Sequence, residues 1–527
     1  MTTSDFPAPA RPAVAWPAVT DRTVLVGVSV GFALPSILFA AALRPVPALL
    51  VLAGCLAALA LVVGRSGTDA AGPLAAPVRV GRLAGCMAFA AALLLLGGET
   101  HLFFATRDWL IRDAVLADLV RFGFPAVYTI NGGDYLLRAP LGMYLVPALV
   151  GQGLGLLAAH VAMLVQNALL LGATFYLLMA MGRGWPHVLI MVGFAGLTIV
   201  TTVLSLTLGP PRDSLHWARH TIDSWNVFFE YSGSVVQFFW VPNHALPGWW
   251  LATLMILQRR GGVDVAVLGV SVAILLLWSP LAILGVLPWL VWLAVTEWRG
   301  VILSRRTWAG AAAGLCFVPV AVYLVLGLEG IRRIHEAPSE PELFWIVYVM
   351  FMLIQLPAAW VVLLGWRDVP RDLRSLVAAC IAMLVVLPFL SFGPSNDLVM
   401  RGSIPALTVL AFVFADSVVR NAGTRTGRGL LLVAITVLML PSAMVEIGRA
   451  VLVTPYRISD CTLTEASVAS GTTGIPGAYV APVGQVPGWL MAADGRPAIA
   501  ARARTCWPDL PNTAPPPRPS ATPAPGT

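Results

Sequence analysis

Long apolar stretches broken by short polar connections recur along most of the chain. They lie at about 23–43, 46–64, 82–104, 158–181, 187–208, 246–258, 264–279, 281–298, 309–328, 343–364, 375–392, 403–420 and 428–447. A helix needs roughly 20 apolar residues to cross a bilayer. The pattern predicts an all-α polytopic membrane protein of about 11–14 transmembrane helices, with polar loops at one face that include an amphipathic helix. The stretch 140–157 is apolar too, but Pro140, Pro147, Gly151, Gly153 and Gly155 interrupt it. It reads as a re-entrant segment. No internal repeat is visible.

Composition agrees with this reading. Hydrophobic residues make up 58% of the 527 and charged residues only 11%, against roughly 25% charged in an average soluble domain. A water-soluble enzyme, a disordered chain and a disulfide scaffold are excluded. All 33 basic residues are Arg. No basic run of the kind that marks nucleic-acid surfaces occurs, so that partner class is not expected.

Arginine placement sets an expected orientation. One set of connections is short and Arg-rich: Arg65/Arg79/Arg82, Arg183, Arg259/Arg260, Arg299/Arg305/Arg306, Arg367/Arg371/Arg374 and Arg420/Arg425/Arg428. These are expected in the cytoplasm of a bacterium. The alternate connections, 105–139, 209–245, 329–342 and 393–402, carry more acids, aromatics and His, and are expected on the periplasmic side of the inner membrane. The scheme puts the N-terminus inside and 448–527 outside. It divides the chain into a disordered N-terminus (1–22), an added helix pair (23–64), a core (82–447), a small outer segment (448–510) and a disordered Pro-rich tail (511–527). Cys461 and Cys506 then lie in an oxidising compartment, where a disulfide is expected. The first apolar run lacks a signal-peptidase site and reads as a retained helix.

Polar groups concentrate in the alternate loops. In the first, 106–122 reads as a helix. Arg107, Asp118 and Arg121 fall on a water-facing edge; Ile111, Val115, Leu119 and Phe122 form one apolar face, and Trp109, Leu116 and Val120 another. Asp108 and Arg112, four residues apart, fall between the apolar faces and are expected side by side against the membrane domain. A carboxylate held by a cation at a membrane boundary is a functional-site candidate. The bland alternative makes Asp108 an N-cap and Arg112 its exposed pair. Asn131 to Asp134 reads as a turn, and Arg138, beside the Pro-broken stretch, as an anion ligand.

The second loop holds Arg212, Asp213, His216, Trp217, Arg219, His220, Asp223, Trp225, Glu230 and Tyr231, then Trp240-Val-Pro-Asn-His-Ala-Leu-Pro-Gly-Trp249. Its core at 242–247 reads as a rigid turn presenting Asn243 and His244. His244 is a candidate for binding a hydroxyl or phosphate, or for satisfying a backbone carbonyl. His216 and His220 with Asp213 and Asp223 make only a weak metal pattern. In the loop 393–402, Asp397 and Arg401 are again four apart. A plain cap and ion pair explains them; an Arg beside a helix mouth also suits a phosphate.

Taken together, Asp108-Trp109, Arg112, Asp118-Leu119, Trp240-x-Pro-Asn-His-x-x-Pro-Gly-Trp and Asn396-Asp397-x-x-Met-Arg401-x-x-Ile-Pro405 resemble bacterial GT-C-like membrane proteins. The resemblance covers roughly 82–447. GT-C glycosyltransferases are polytopic enzymes that use lipid-phosphate-linked sugars. The resemblance implies Asp108 as catalytic base, taking the acceptor hydroxyl proton. It implies Arg112, Arg138 and Arg401 as groups for the departing phosphate. Asp118, His244 and Asp397 would bind substrate or support a loop. Partners would be a polyprenyl-phosphate-linked sugar donor, membrane lipids and a glycan, lipid or protein acceptor. Some members carry an Asp-x-Asp pair with a divalent metal; the pair is absent here, which leaves a divalent metal open and implies no other cofactor. The rival readings are a transporter or flippase of a lipid-linked anion, an O-antigen polymerase or ligase, and a structural envelope subunit.

Overall fold

The computed structural model describes residues 19–64, 72–208, 220–226, 228–328, 341–390, 392–393, 396–469, 476–492, 498–500 and 505–507. Arg212, Asp213, His216, Trp217 and Arg219, the connection 329–340 and the tail 511–527 lie outside the described residues.

The chain is a multi-pass membrane protein and mostly helical. Six helices are long and apolar enough to cross a bilayer. They are α1 (Asp21–Ala40), α2 (Pro45–Gly64), Leu156–Met181, Arg371–Phe389, Ile404–Asn421 and Gly427–Leu452. Two more candidate spans are bent pairs. Arg305–Leu315 meets Val318–Val325 at 46°, and Leu343–Gln355 meets Pro357–Leu364 at 68°. Each second half has a proline at its start, Pro319 and Pro357, where a missing N–H and a ring clash stop a straight continuation. Shorter apolar helices, among them α3 (Val80–Leu96), Val265–Leu277 and Pro280–Thr296, fill the remaining expected stretches.

Small residues let these helices approach closely. On the helix Leu156–Met181, Gly172 sits so near α3 that a Cβ there would lie 2.5 Å from Met87 Cα. The broken stretch 140–157 follows a helix and a hairpin of the first loop. α4 (Asp108–Phe122) comes first, then the strands β1 (Val127–Ile130) and β2 (Gly133–Leu137). α5 (Leu145–Leu154) follows, only ten residues long. At Gly155, φ +91°, the chain reverses into α6 (Leu156–Met181) and packs back along α5.

The Arg-rich connections gather at one end of the helices. Arg183 and Arg420 share Asp416, at 2.6 and 2.8 Å. Arg259 pairs with Glu297 at 2.6 Å, Arg260 with Asp372 at 3.3 Å, and Arg428 with Asp368.

The loops at the other end build a feature that hydrophobic periodicity did not announce, a four-stranded sheet of order β3-β2-β1-β4. The hairpin β1–β2 turns on Asn131 (φ +52°) and Gly132 (φ +81°). Two successive positive-φ residues suit the twist of a tight hairpin. β3 (Val480–Pro482) pairs antiparallel with β2, and β4 (Ala498–Ala500) parallel with β1. The C-terminal segment is therefore woven into the first loop. The Cys461–Cys506 disulfide is present, and Tyr456 stacks on Trp507 at 4.3 Å.

Candidate functional site

Five elements supply the candidate residues. α4 supplies Asp108 and Arg112. The segment Ser234–Trp240 (α7) and helix Pro242–Arg259 (α8) supply Trp240 and His244. The short helix Asp397–Gly402 (α9) supplies Asp397 and Arg401. The C-terminal segment supplies Tyr479.

Arg112 is buried and Asp108 is not. Arg112 Nη2 lies 3.7 Å from Asp108 Oδ2, with side chains 7% and 47% exposed respectively. Both residues had been expected against the membrane domain. The structure separates them because Asp108 sits in the first turn, where few neighbours cover it, while the longer arginine reaches under α7. Its Nη2 donates to the Trp240 carbonyl, and its guanidinium lies 5.3 Å from the Trp109 ring centre. Trp109 is itself fixed, its indole N–H shared between the carbonyls of Gly97 (3.0 Å) and Phe239 (3.2 Å). Nη1 of Arg112 is buried without a hydrogen-bond partner.

Arg401 repeats the arrangement. Its Nη1 donates to Asp397 Oδ2 at 2.8 Å, and its Nε is buried and unpartnered. Burial raises the Asp397 carboxyl above the usual range, opposed by the Arg401 charge. Gly393 makes the geometry possible: its φ is +83°, and a Cβ there would lie 2.9 Å from that of Asp397.

His244 occupies a helix rather than the turn expected for 242–247. Pro242 opens α8, a position where its missing N–H costs nothing and its fixed φ favours the helix. His244 Nδ1 lies 2.6 Å from Ser279 Oγ. That oxygen also accepts from Ala282 N at 3.1 Å. Arg401 and Arg112 both lie within electrostatic reach of the imidazole.

Tyr479 ties the group together. Arg112, Arg401, Asp108 and Asp397 all act on it electrostatically, and burial raises its phenol. Glu230, also raised by burial, lies within reach of Asp108 and is held by Ser232 Oγ at 2.6 Å.

Two predicted site residues lie elsewhere. Asp118 had been placed on the water-facing edge of α4, yet it is fully buried. The C-terminal segment covers that edge: Asp118 Oδ2 accepts from Tyr128 Oη and Leu463 N, each at 2.8 Å. Burial pushes its carboxyl up to about 7. Asp118 is thus a clasp for a loop. Arg138 stands one layer behind, donating from Nη2 to Gly477 O (2.9 Å) and from its backbone N to Tyr479 O (2.6 Å). It braces the turn 477–479 that carries Tyr479.

Sequence reasoning missed Tyr479, which lies in a segment without periodicity. It also missed a buried polar layer under Arg112. Asp113 accepts from Ser459 N at 3.0 Å and lies 3.0 Å from His101 Nε2. Glu99 accepts from Asn167 at 2.9 Å and is within reach of Arg112. The signal was present as two ionisable residues, Glu99 and His101, at the end of an apolar run. In the weak metal pattern, His220 and Asp223 are the described members. The His220 carbonyl accepts from Arg449 at 3.1 Å, and Asp223 is buried against Gly233 N (2.7 Å) and Ser442 (2.9 Å). Among the described residues, no group of three or more His, Cys, Asp or Glu is arranged to hold a metal ion.

Chemically, the site offers one buried and one partly exposed guanidinium, each with a buried unpartnered nitrogen, near a half-exposed carboxylate and a phenol. Donors of this kind recognise phosphate oxygens, and the carboxylate is placed to accept a proton. Compared with family models, curated proteins and solved structures, the chain matches none.

Proposed function

We propose that this protein is a membrane glycosyltransferase of the GT-C type, moving a sugar from a polyprenyl-phosphate-linked donor to an acceptor at the outer, periplasmic face. The observation that carries the reading is that Arg112 and Asp108 from one loop and Arg401 and Asp397 from another all act on Tyr479, each arginine keeping one buried nitrogen without a partner. Asp108 takes the proton of the acceptor hydroxyl as its oxygen bonds to the sugar carbon. The bond from that carbon to the phosphate oxygen breaks, its electron pair stays on the phosphate, and Arg112 and Arg401 stabilise the new charge.

A carrier for a lipid-linked anion has one observation in its favour: Glu99, His160 and Glu446 are ionisable and fully buried among the helices, as transport pathways require. The two readings separate on turnover. Arg401→Gln should weaken binding of a prenyl diphosphate and lower transfer by about 10²–10³-fold, the effect of removing one preorganised donor. Unchanged transfer with impaired movement of the lipid across vesicles would establish the carrier instead.

A further inference from the structure

We infer that a trough between α1, α3 and α6, remote from the site above, seats one acyl chain of an anionic bilayer phospholipid whose phosphate rests against Arg79 and Arg82. The trough has a volume of about 600 Å³ and is walled by Gly27, Gly31, Met87, Val165, Leu169 and Ala173, among others. Its only polar lining side chains are Thr23 and Gln166, and the Gln166 amide is already spent on Met143 O at 3.1 Å. Nothing in it calls for water.

Two of its walls, α1 and α6, are membrane-length helices. Val165 and Leu169 are 51% and 48% exposed along it. The medium facing the trough is therefore lipid. The concavity comes from Gly27, where an added Cβ would meet nothing within 4 Å, and from Gly31 one turn on. A space this narrow takes a hydrocarbon chain, not a helix about 10 Å across.

The position of the charges selects the headgroup. The trough ends at Val19, Thr23, Val78 and Leu83, on the Arg-rich side. There α1 is strapped to the segment before α3 by Val78 N to Val19 O (2.8 Å) and Asp21 N to Ala76 O (2.9 Å). Arg22 turns away to the carbonyls of Val62 and Val63, each at 2.9 Å. Arg79 and Arg82 are exposed beside the trough mouth. Juxtamembrane arginines of this kind attract anionic headgroups.

The test uses the full chain, delipidated in detergent, with phosphatidylglycerol, phosphatidylcholine and a prenyl phosphate as separate probes. Native mass spectrometry reads adducts, and thermal unfolding reads stabilisation. Phosphatidylglycerol should leave a stoichiometric adduct and raise Tm, whereas phosphatidylcholine should do neither. Gly27→Leu, which fills the trough without a clash, should abolish both effects, and so should Val165→Trp from the opposite wall. Arg79→Gln with Arg82→Gln should weaken the adduct about tenfold or more, the scale of charge removal at an anionic surface. Gly269→Leu, another glycine with open space around its Cβ, should behave like the parent. Phosphatidylglycerol adducts that survive in both trough-filling variants, or equal retention of phosphatidylcholine or prenyl phosphate, would overturn the assignment.

Discussion

Replacing Asp108 by Asn separates chemistry from structure at the candidate site. The side chain is 47% exposed, and among the described residues its one ion pair is the 3.7 Å contact with Arg112. A pair four residues apart on a helix, this open to solvent, contributes about 0.3–0.5 kcal/mol to stability. Arg112 keeps the Trp240 carbonyl and the Trp109 ring in the variant, so it is not stranded. Asp108→Asn should therefore shift Tm by little more than a degree or two, on the scale of a few tenths of a kcal/mol. Loss of a positioned base costs far more, about 10²–10⁴-fold in rate, or roughly 3–5 kcal/mol of barrier. The assay is transfer of radiolabelled sugar from a prenyl-phosphate donor in proteoliposomes, run beside thermal unfolding and donor binding. The expected result is intact Tm, donor binding within a few-fold of the parent, and loss of turnover. Full turnover in Asp108→Asn would show that Asp108 is not the base. A large fall in Tm would show instead that the carboxylate is structural, contrary to its exposure.

Three other outcomes follow from the same geometry. Asp118→Ala strands two buried donors, Tyr128 Oη and Leu463 N; at ~1–3 kcal/mol for each unsatisfied group, it should lower stability by roughly 2–5 kcal/mol in denaturant titration, and Asp118→Asn, which keeps an acceptor, by clearly less. Burial pushes the Asp118 and Asp223 carboxyls up to about 7 from a reference of 3.8; the folded state then holds more protons than the unfolded one between about pH 4 and 7, so stability falls as pH rises through that window, and Asp118→Asn should flatten the fall in a Tm–pH series. Removing the Cys461–Cys506 bridge, which spans 45 residues, should cost the C-terminal segment about 4 kcal/mol by loop entropy, seen as protease cleavage between 461 and 506 in reductant before the helices unfold.

The helical frame was legible because apolar runs near 20 residues have one reading in water-free surroundings. The breaks were legible too: Gly155 reverses the chain, and Pro357 bends a span. Asp108, Arg112, His244, Asp397 and Arg401 could be singled out because a polar residue beside an apolar span must have a partner. What one helix wheel could not show was which edge a distant segment would cover. Asp118 reads as water-facing on α4 alone, and it is covered by Tyr128 of the following hairpin and by Leu463, 345 positions away. Tyr479 was invisible for the same reason. It lies in the turn just before β3, a three-residue strand that gains its place by pairing with β2, information that no local period carries.

That long-range pairing gives α4 two ends with different duties. At its C-terminal end, Asp118 holds Leu463, and Arg121 reaches Asp460, Nη2 to Oδ2 at 3.1 Å. In its middle, Asp113 holds Ser459 N. At its N-terminal end, Arg112 is pinned under Trp240 and Asp108 is left open. The C-terminal segment anchored by the first two contacts is the one that returns, through β3, to set Tyr479 over Arg112 and Arg401. The helix that orients the carboxylate thus also positions the roof above it. A buried cation beside an open carboxylate is the asymmetry a transfer reaction needs: the guanidinium must already be desolvated to act on a phosphate, whereas the base must meet an acceptor arriving from water.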